Sequence, residues 1–174
     1  EIKFGKKQLL KFGILENDWY VVFHLSENKN EHSLRSVNNP RTYFKAMKLI
    51  IKLGGKVIQI GRTELQPFEK NNNYFDLSGV SLNNPFMNIF LLYTAKLVVC
   101  SASGPNHLPH TFGKPCLWTN IFPTASVPIL KKDRYIHKRW EKNGKKLTLE
   151  EIYKTDLSRS FLKENFNGSS IKII

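Results

Sequence analysis

Residues Leu97–Pro115 read LVVCSASGPNHLPHTFGKP. Four apolar residues, Leu97–Cys100, run without interruption into Ser-Ala-Ser-Gly-Pro-Asn. A β-favouring run with no polar break is the mark of a strand covered on both faces, as in the middle of a parallel sheet. The small residues that follow read as a loop, and Pro105–Phe112 has the length of a helix turn or two, closed by Gly113. A strand that empties through a loop into a helix is half of a strand–helix–strand unit. It predicts an α/β fold.

The same grammar extends in both directions. Upstream, Trp19–Leu25 (WYVVFHL) is a second buried strand, and Ser26–Asn39 is polar and loop-like. Asn39-Pro40 opens a helix, an Asn cap followed by Pro at the first helical position. Tyr43, Phe44, Met47, Ile50 and Ile51 then recur at helical spacing to about Leu53, and Gly54-Gly55 ends the run. Lys56–Gly61 (KVIQIG) and Tyr74–Leu77 read as further strands. Asn84-Pro85 repeats the helix start, for a helix over Pro85–Ala95. Downstream, Pro115–Asn120 (PCLWTN) is the fifth strand in chain order. Past Phe122 the chain reads as irregular and basic, until Thr148-Leu-Glu-Glu151 gives a capping box and a last strand begins near Ile171. A short helix is expected around Lys7–Phe12.

The expected architecture is therefore α/β, an open parallel sheet with helices on both faces. Residues 1–18 form a basic N-terminal segment, read as the remnant of an interdomain connection. Residues 19–174 form one domain. The chain begins at Glu1 and stops inside the apolar run Ile171–Ile174, so it reads as truncated at both ends.

Lys and Arg exceed Asp and Glu by enough to leave a net charge of +13. Such a balance favours anionic partners: phosphates, nucleic acid or an acidic membrane surface. Cys100 and Cys116 each sit in an apolar run and read as buried thiols of a reducing, cytoplasmic setting. No apolar run approaches the ~20 residues that span a bilayer.

In open α/β sheets ligands bind where the strands end, at their carboxyl edge. His24 and the loop residue Arg35 follow the first strand, and Gly61 and Arg62 follow the second. Ser101, Ser103, Gly104, Asn106 and His107 follow the fourth. Asn120 follows the fifth, with Lys131 further on. The set holds small residues, hydroxyls, amides and cations, and no clustered carboxylates. It suits an anionic ligand, and neither a metal nor a cofactor is expected. The Ser101–Gly104 turn would present backbone N–H groups to a phosphate at a helix start. Neither GxGxxG nor GxxxxGK[ST] is present. His107 and His110 lack Cys or acidic neighbours in sequence, which argues against zinc.

The succession VVFHLS (21–26), LRS (34–36), Tyr43, GGKVIQIGR (54–62), YFDLS (74–78), PFMNIFLLYTAKLVVCSASG (85–104), FGKPCLWTN (112–120), Pro123 and LTLEEI (147–152) resembles a family of bacterial glycosyltransferases. The family is linked to surface-carbohydrate synthesis and has a GT-B-like donor domain. The resemblance covers about residues 19–174. It implies the C-terminal, nucleotide-sugar-binding half of a GT-B enzyme, with the N-terminal half missing from this chain. His24, Arg35, Ser103, Gly104, Asn120 and, more loosely, Lys131 fall on the family's motifs. The implied partners are a nucleotide-sugar donor and a glycan or lipid-linked acceptor, with peripheral contact to an anionic membrane. No catalytic residue is assigned, because the base for an acceptor hydroxyl is expected in the other half. Ser26, Gln59 and Asn88 depart from the family pattern, which has two cations and an acid there. The alternative is a non-catalytic module that binds anionic glycan or nucleic acid.

Overall fold

The structure, a computed structural model, describes residues 1–25, 34, 37, 39–61, 68, 71–78, 84–101, 107–124, 130–160 and 163–174. One sheet contains β1 (Tyr20–His24), β2 (Lys56–Ile60), β3 (Tyr74–Asp76), β4 (Leu97–Ser101), β5 (Cys116–Ile121) and β6 (Arg134–His137). The order is β3-β2-β1-β4-β5-β6, and every neighbouring pair is parallel. It is the strand order of a doubly wound Rossmann sheet, whose direction of growth reverses between β1 and β4. β1 can occupy that central place because all five of its residues are buried.

Alternation along the strands feeds two cores. On one face Val21, Phe23, Val57 and Val99 pack with Tyr43 and Met47. Met47 belongs to α2 (Phe44–Lys52), which a 3₁₀ turn, Pro40–Tyr43, introduces. On the other face Val22, Ile58, Val98 and Cys100 pack with Phe90 and Leu91 of α3 (Pro85–Thr94). The two Asn-Pro starts work as expected. Asn39 Oδ1 accepts from the Arg41 N–H at 3.1 Å, and Asn84 Oδ1 accepts from that of Met87 at 2.9 Å.

The N-terminal helix α1 (Ile2–Lys11) begins earlier than its polar sequence suggests. It packs on α3: Phe4 meets Phe86 edge-on, and Gly5 lies so close that an added Cβ would fall 2.6 Å from the Phe90 ring. Gly5→Ala must therefore displace an aromatic ring in the core. It should cost about 1–3 kcal/mol, a fall in thermal midpoint of roughly 2–12 °C. An unchanged midpoint in a thermal melt would show that α1 does not dock on α3.

The turn or two of helix expected over Pro105–Phe112 is, among the described residues, the single turn α4 (Leu108–Thr111), with Pro105 and Asn106 outside them. Aligned peptide dipoles sum along a helix, so a single turn supplies little field of its own. The irregular region expected after Phe122 is corrected: among the described residues it is ordered into strands. It contributes β6 to the main sheet and then a small antiparallel sheet, order β8-β7-β9, from β7 (Trp140–Lys142), β8 (Lys145–Lys146) and β9 (Ile171–Ile173). Trp140, Phe122, Ile152 and Phe166 form its core. The capping box that starts α5 (Leu149–Tyr153) is present in both halves, Thr148 with the Glu151 N–H and Glu151 with the Thr148 N–H. No described helix is long and apolar enough to cross a membrane.

Candidate functional site

Four of the sequence-predicted residues stand together at the carboxyl edge. His24 ends β1 and pairs in register with Ile60 and Cys100. Gly61 follows β2 with φ +106°, a conformation that a side chain would strain. Its missing Cβ would touch the His24 imidazole at 3.5 Å and the Leu25 carbonyl at 3.4 Å, so the glycine leaves the histidine ring room. Ser101 ends β4 opposite Thr119 and is fully buried. Asn120 lies near the end of β5. Four adjacent strand ends, β2-β1-β4-β5, thus bracket the switch point.

Asn120 has φ +51°, a left-handed conformation that Asn tolerates better than most residues. The register between β5 and β6 shifts across Trp118–Ile121, the mark of a bulge. The bulge swings Asn120 toward the other face, where a hydrogen-bonded relay holds it. The Asn120 Nδ2 donates to the Tyr43 hydroxyl at 2.6 Å. Tyr43 and Thr119 hydroxyls are 2.6 Å apart, and Thr119 donates to the Cys100 carbonyl at 3.1 Å. Thr119 spends its proton on that carbonyl, so Tyr43 is the donor in the shared bond. Burial pushes the Tyr43 hydroxyl's pKa up, against the pull of its bonds to Thr119 and Asn120, so it stays protonated. The Asn120 nitrogen is thereby turned inward, and its Oδ1 faces away from Tyr43.

Tyr43 is the residue that sequence reasoning missed. Its helical spacing placed it on an apolar face, and its ring does pack there, edge-on to Phe23 at 6.3 Å. A tyrosine rather than phenylalanine in the first turn after the β1 loop was the available signal.

The other predicted residues divide. Arg35, Arg62, Ser103, Gly104 and Asn106 lie outside the described residues, as does Ser26. His107 is exposed, and its ring packs on Trp118 at 5.6 Å, over the middle of β5 rather than at its end. Lys131 is corrected: it precedes β6, whose Arg134 pairs with Leu117 near the start of β5, so it stands at the amino edge, opposite the others. Gln59 is buried within β2 and accepts from the Tyr74 hydroxyl at 2.9 Å. Its position lies inside the sheet rather than at its rim.

Beyond β5 the carboxyl edge continues into a cavity of about 490 Å³ lined by His137, Lys138, Trp140, Lys146 and Thr148 among others. The His137 Nδ1 is buried there with no hydrogen-bond partner among the described residues, and burial holds the imidazole's pKa below its usual 6.5. The unfolded chain then binds a proton more readily than the folded one, so this contribution is present above pH ~6.5 and fades as pH falls through the lower folded value. Denaturant midpoints should drop between pH 7 and 5, and His137→Gln should flatten that drop. Identical pH profiles for the two proteins would remove His137 as the cause.

No protein-family model and no curated protein matches the chain. Among solved structures, Escherichia coli ADP-heptose LPS heptosyltransferase II is similar at 16% identity and a TM-score of 0.56, over 95% of this chain and 51% of that one. E. coli heptosyltransferase WaaC with ADP is similar at 17% identity and a TM-score of 0.48, over 90% and 47%. WaaC with ADP-2-deoxy-2-fluoro heptose gives 17% and 0.45, over 75% and 39%. The chain spans about half the length of heptosyltransferase II. That alignment shows that this chain has the α/β Rossmann-like fold found in GT-B glycosyltransferases, the fold that the sequence resemblance implied.

Proposed function

We propose that the chain is the donor-binding half of a GT-B glycosyltransferase and that the carboxyl edge around the β1/β4 switch point holds a nucleotide-diphosphate sugar. The observation that carries the reading is the grouping of His24, Gly61 and the Tyr43–Thr119–Asn120 relay at four neighbouring strand ends, where sheets of this order receive nucleotides. Asn120 Oδ1 is an acceptor, so it suits a hydroxyl or amino group of the nucleoside or sugar. The diphosphate falls to the loops that leave β1 and β4, with Ser103 and Gly104 cradling it and Arg35 neutralising it. Transfer goes to an acceptor hydroxyl in surface-glycan synthesis, with the acceptor-binding half outside residues 1–174. The acceptor is a glycan or lipid-linked glycan. The site of action is the cytoplasmic side, with peripheral contact to an anionic leaflet.

The name of heptosyltransferase II makes an ADP-linked sugar the first donor to try. A thermal-shift panel of ADP-, UDP-, GDP- and CMP-sugars should raise the midpoint with one nucleotide class, by about 2.7 kcal/mol of stabilisation at a hundredfold excess over Kd. Ser103→Asp should abolish that response by repulsion and leave the melt without ligand intact. If no nucleotide sugar stabilises the chain, while DNA or RNA binds with steep salt dependence, the protein is an anion-binding module and not a donor domain.

A further inference from the structure

The amino edge of the sheet holds a second cluster, remote from the proposed donor site. Asp133, in the turn before β6, is 4% exposed. Its carboxylate accepts from the Cys116 N–H at 3.0 Å and the Trp118 Nε1 at 3.1 Å, lies 2.6 Å from His110 Nε2 and meets the Tyr135 hydroxyl at 3.4 Å. The Cys116 thiol completes the group: His110 Nε2, Cys116 Sγ and an Asp133 carboxylate oxygen all lie within 4.8 Å of one another. The sequence argued against a metal because His110 has no Cys or acid near it in the chain. The fold supplies both, from β5 and from a turn 23 residues away.

One imidazole, one thiolate and one carboxylate are the mixed N/S/O donor set of zinc-class divalent cations. Ligand atoms around such an ion stand roughly 3.3–3.7 Å apart, given metal–ligand bonds of about 2.0–2.3 Å in tetrahedral geometry. The His110–Asp133 pair must open by about 1 Å to admit the ion. The surroundings suit the task. The Trp118 indole and the Cys116 N–H anchor the carboxylate, as outer-shell donors do around metal ligands. The His110 side chain keeps 12% of its surface exposed, which gives the ion a way in and leaves the fourth position open to water.

We propose that His110, Cys116 and Asp133 form a binding site for one zinc-class divalent cation, clipping α4 to the amino edge of β5 and β6. On binding, Cys116 loses its thiol proton to solvent and His110 binds through Nε2, its remaining proton on Nδ1; no electron is transferred.

Cobalt(II) is the probe. Added to the full chain, it should bind at one equivalent, with a near-ultraviolet thiolate-to-cobalt charge-transfer band that zinc abolishes by displacement. Cys116→Ser should lose the band, and Cys100→Ser should keep it. Trp118→Phe, which removes an outer-shell donor but keeps an aromatic ring, should weaken cobalt binding by about 10–100-fold. Circular dichroism checks that each variant is folded, and if Cys116→Ser is not, His110→Gln replaces it with the same expected loss. No stoichiometric binding, binding without the charge-transfer band, or a band that survives Cys116→Ser would each overturn the site. His110–Asp133 would then be a hydrogen bond that pins α4 and nothing more.

Discussion

Asp133→Ala is expected to lower the thermal midpoint by roughly 6–20 °C, the equivalent of about 3–5 kcal/mol. The side chain is almost wholly buried and every atom that meets it is a donor: a backbone N–H, an indole N–H, an imidazole nitrogen and a phenol. Truncation leaves the Trp118 N–H and the Cys116 N–H without an acceptor in an apolar setting, and each then carries its own desolvation cost. Asp133→Asn should be nearly as harmful, because its amide turns a donor toward donors. The effect is large because the one carboxylate ties together three elements: α4, β5 and the turn that launches β6. A melt in which Asp133→Ala falls by less than about 2 °C would mean that these donors find water instead.

Trp140→Ala is the second large effect, about 3–5 kcal/mol. Trp140 is fully buried, with Phe122 at 5.9 Å and Phe166 at 5.5 Å between ring centroids. It starts β7, and Ile152 of α5 and Phe166 close on it, so its removal empties the centre of the smaller core. Trp140 also buries an indole N–H with no partner among the described residues. Trp140→Phe discards that unsatisfied group while keeping an aromatic ring, so its cost should stay below about 1.5 kcal/mol. Equal losses for the two variants in a denaturant titration would show that ring volume is not what holds this core.

The contrast between the two halves of the chain explains what the sequence made legible. Leu97–Cys100, Tyr20–Phe23 and Val57–Ile58 are apolar on consecutive positions because helices cover both faces of the sheet, and such runs stand out in any sequence. The Asn-Pro starts carry their own hydrogen-bond logic, and both were read correctly. β6 hides because it is an edge strand, and β7 because it is only three residues long. Arg134–His137 alternates exposed and half-buried positions, and Trp140–Lys142 has one apolar residue in three. Asn143-Gly144, with φ values of +52° and +78°, is the tight turn between β7 and β8. That dipeptide was a usable signal, masked by the lysines around it.

The candidate site divides along a similar line. Strand ends could be read off the strands, so His24, Gly61, Ser101 and Asn120 fall at one edge as expected. What needed the fold were the contacts between distant segments. Tyr43 reaches Asn120 across 77 positions, and His110 reaches Asp133 across 23. Lys131 was misplaced for the same reason. Without β6 there was no way to know that the chain had already returned to the opposite edge.

The central claim is that the carboxyl edge at the β1/β4 switch point, and not the amino edge, receives a nucleotide-linked ligand. Backbone amide NMR of the labelled chain during titration with an ADP-sugar tests it residue by residue. Saturable shifts are expected at Leu25, Gly61, Ser101 and Asn120, with little change at Lys56, Leu97, Cys116 and Lys131. Shifts concentrated at the second group, or none at any concentration of the nucleotide sugars, would contradict it.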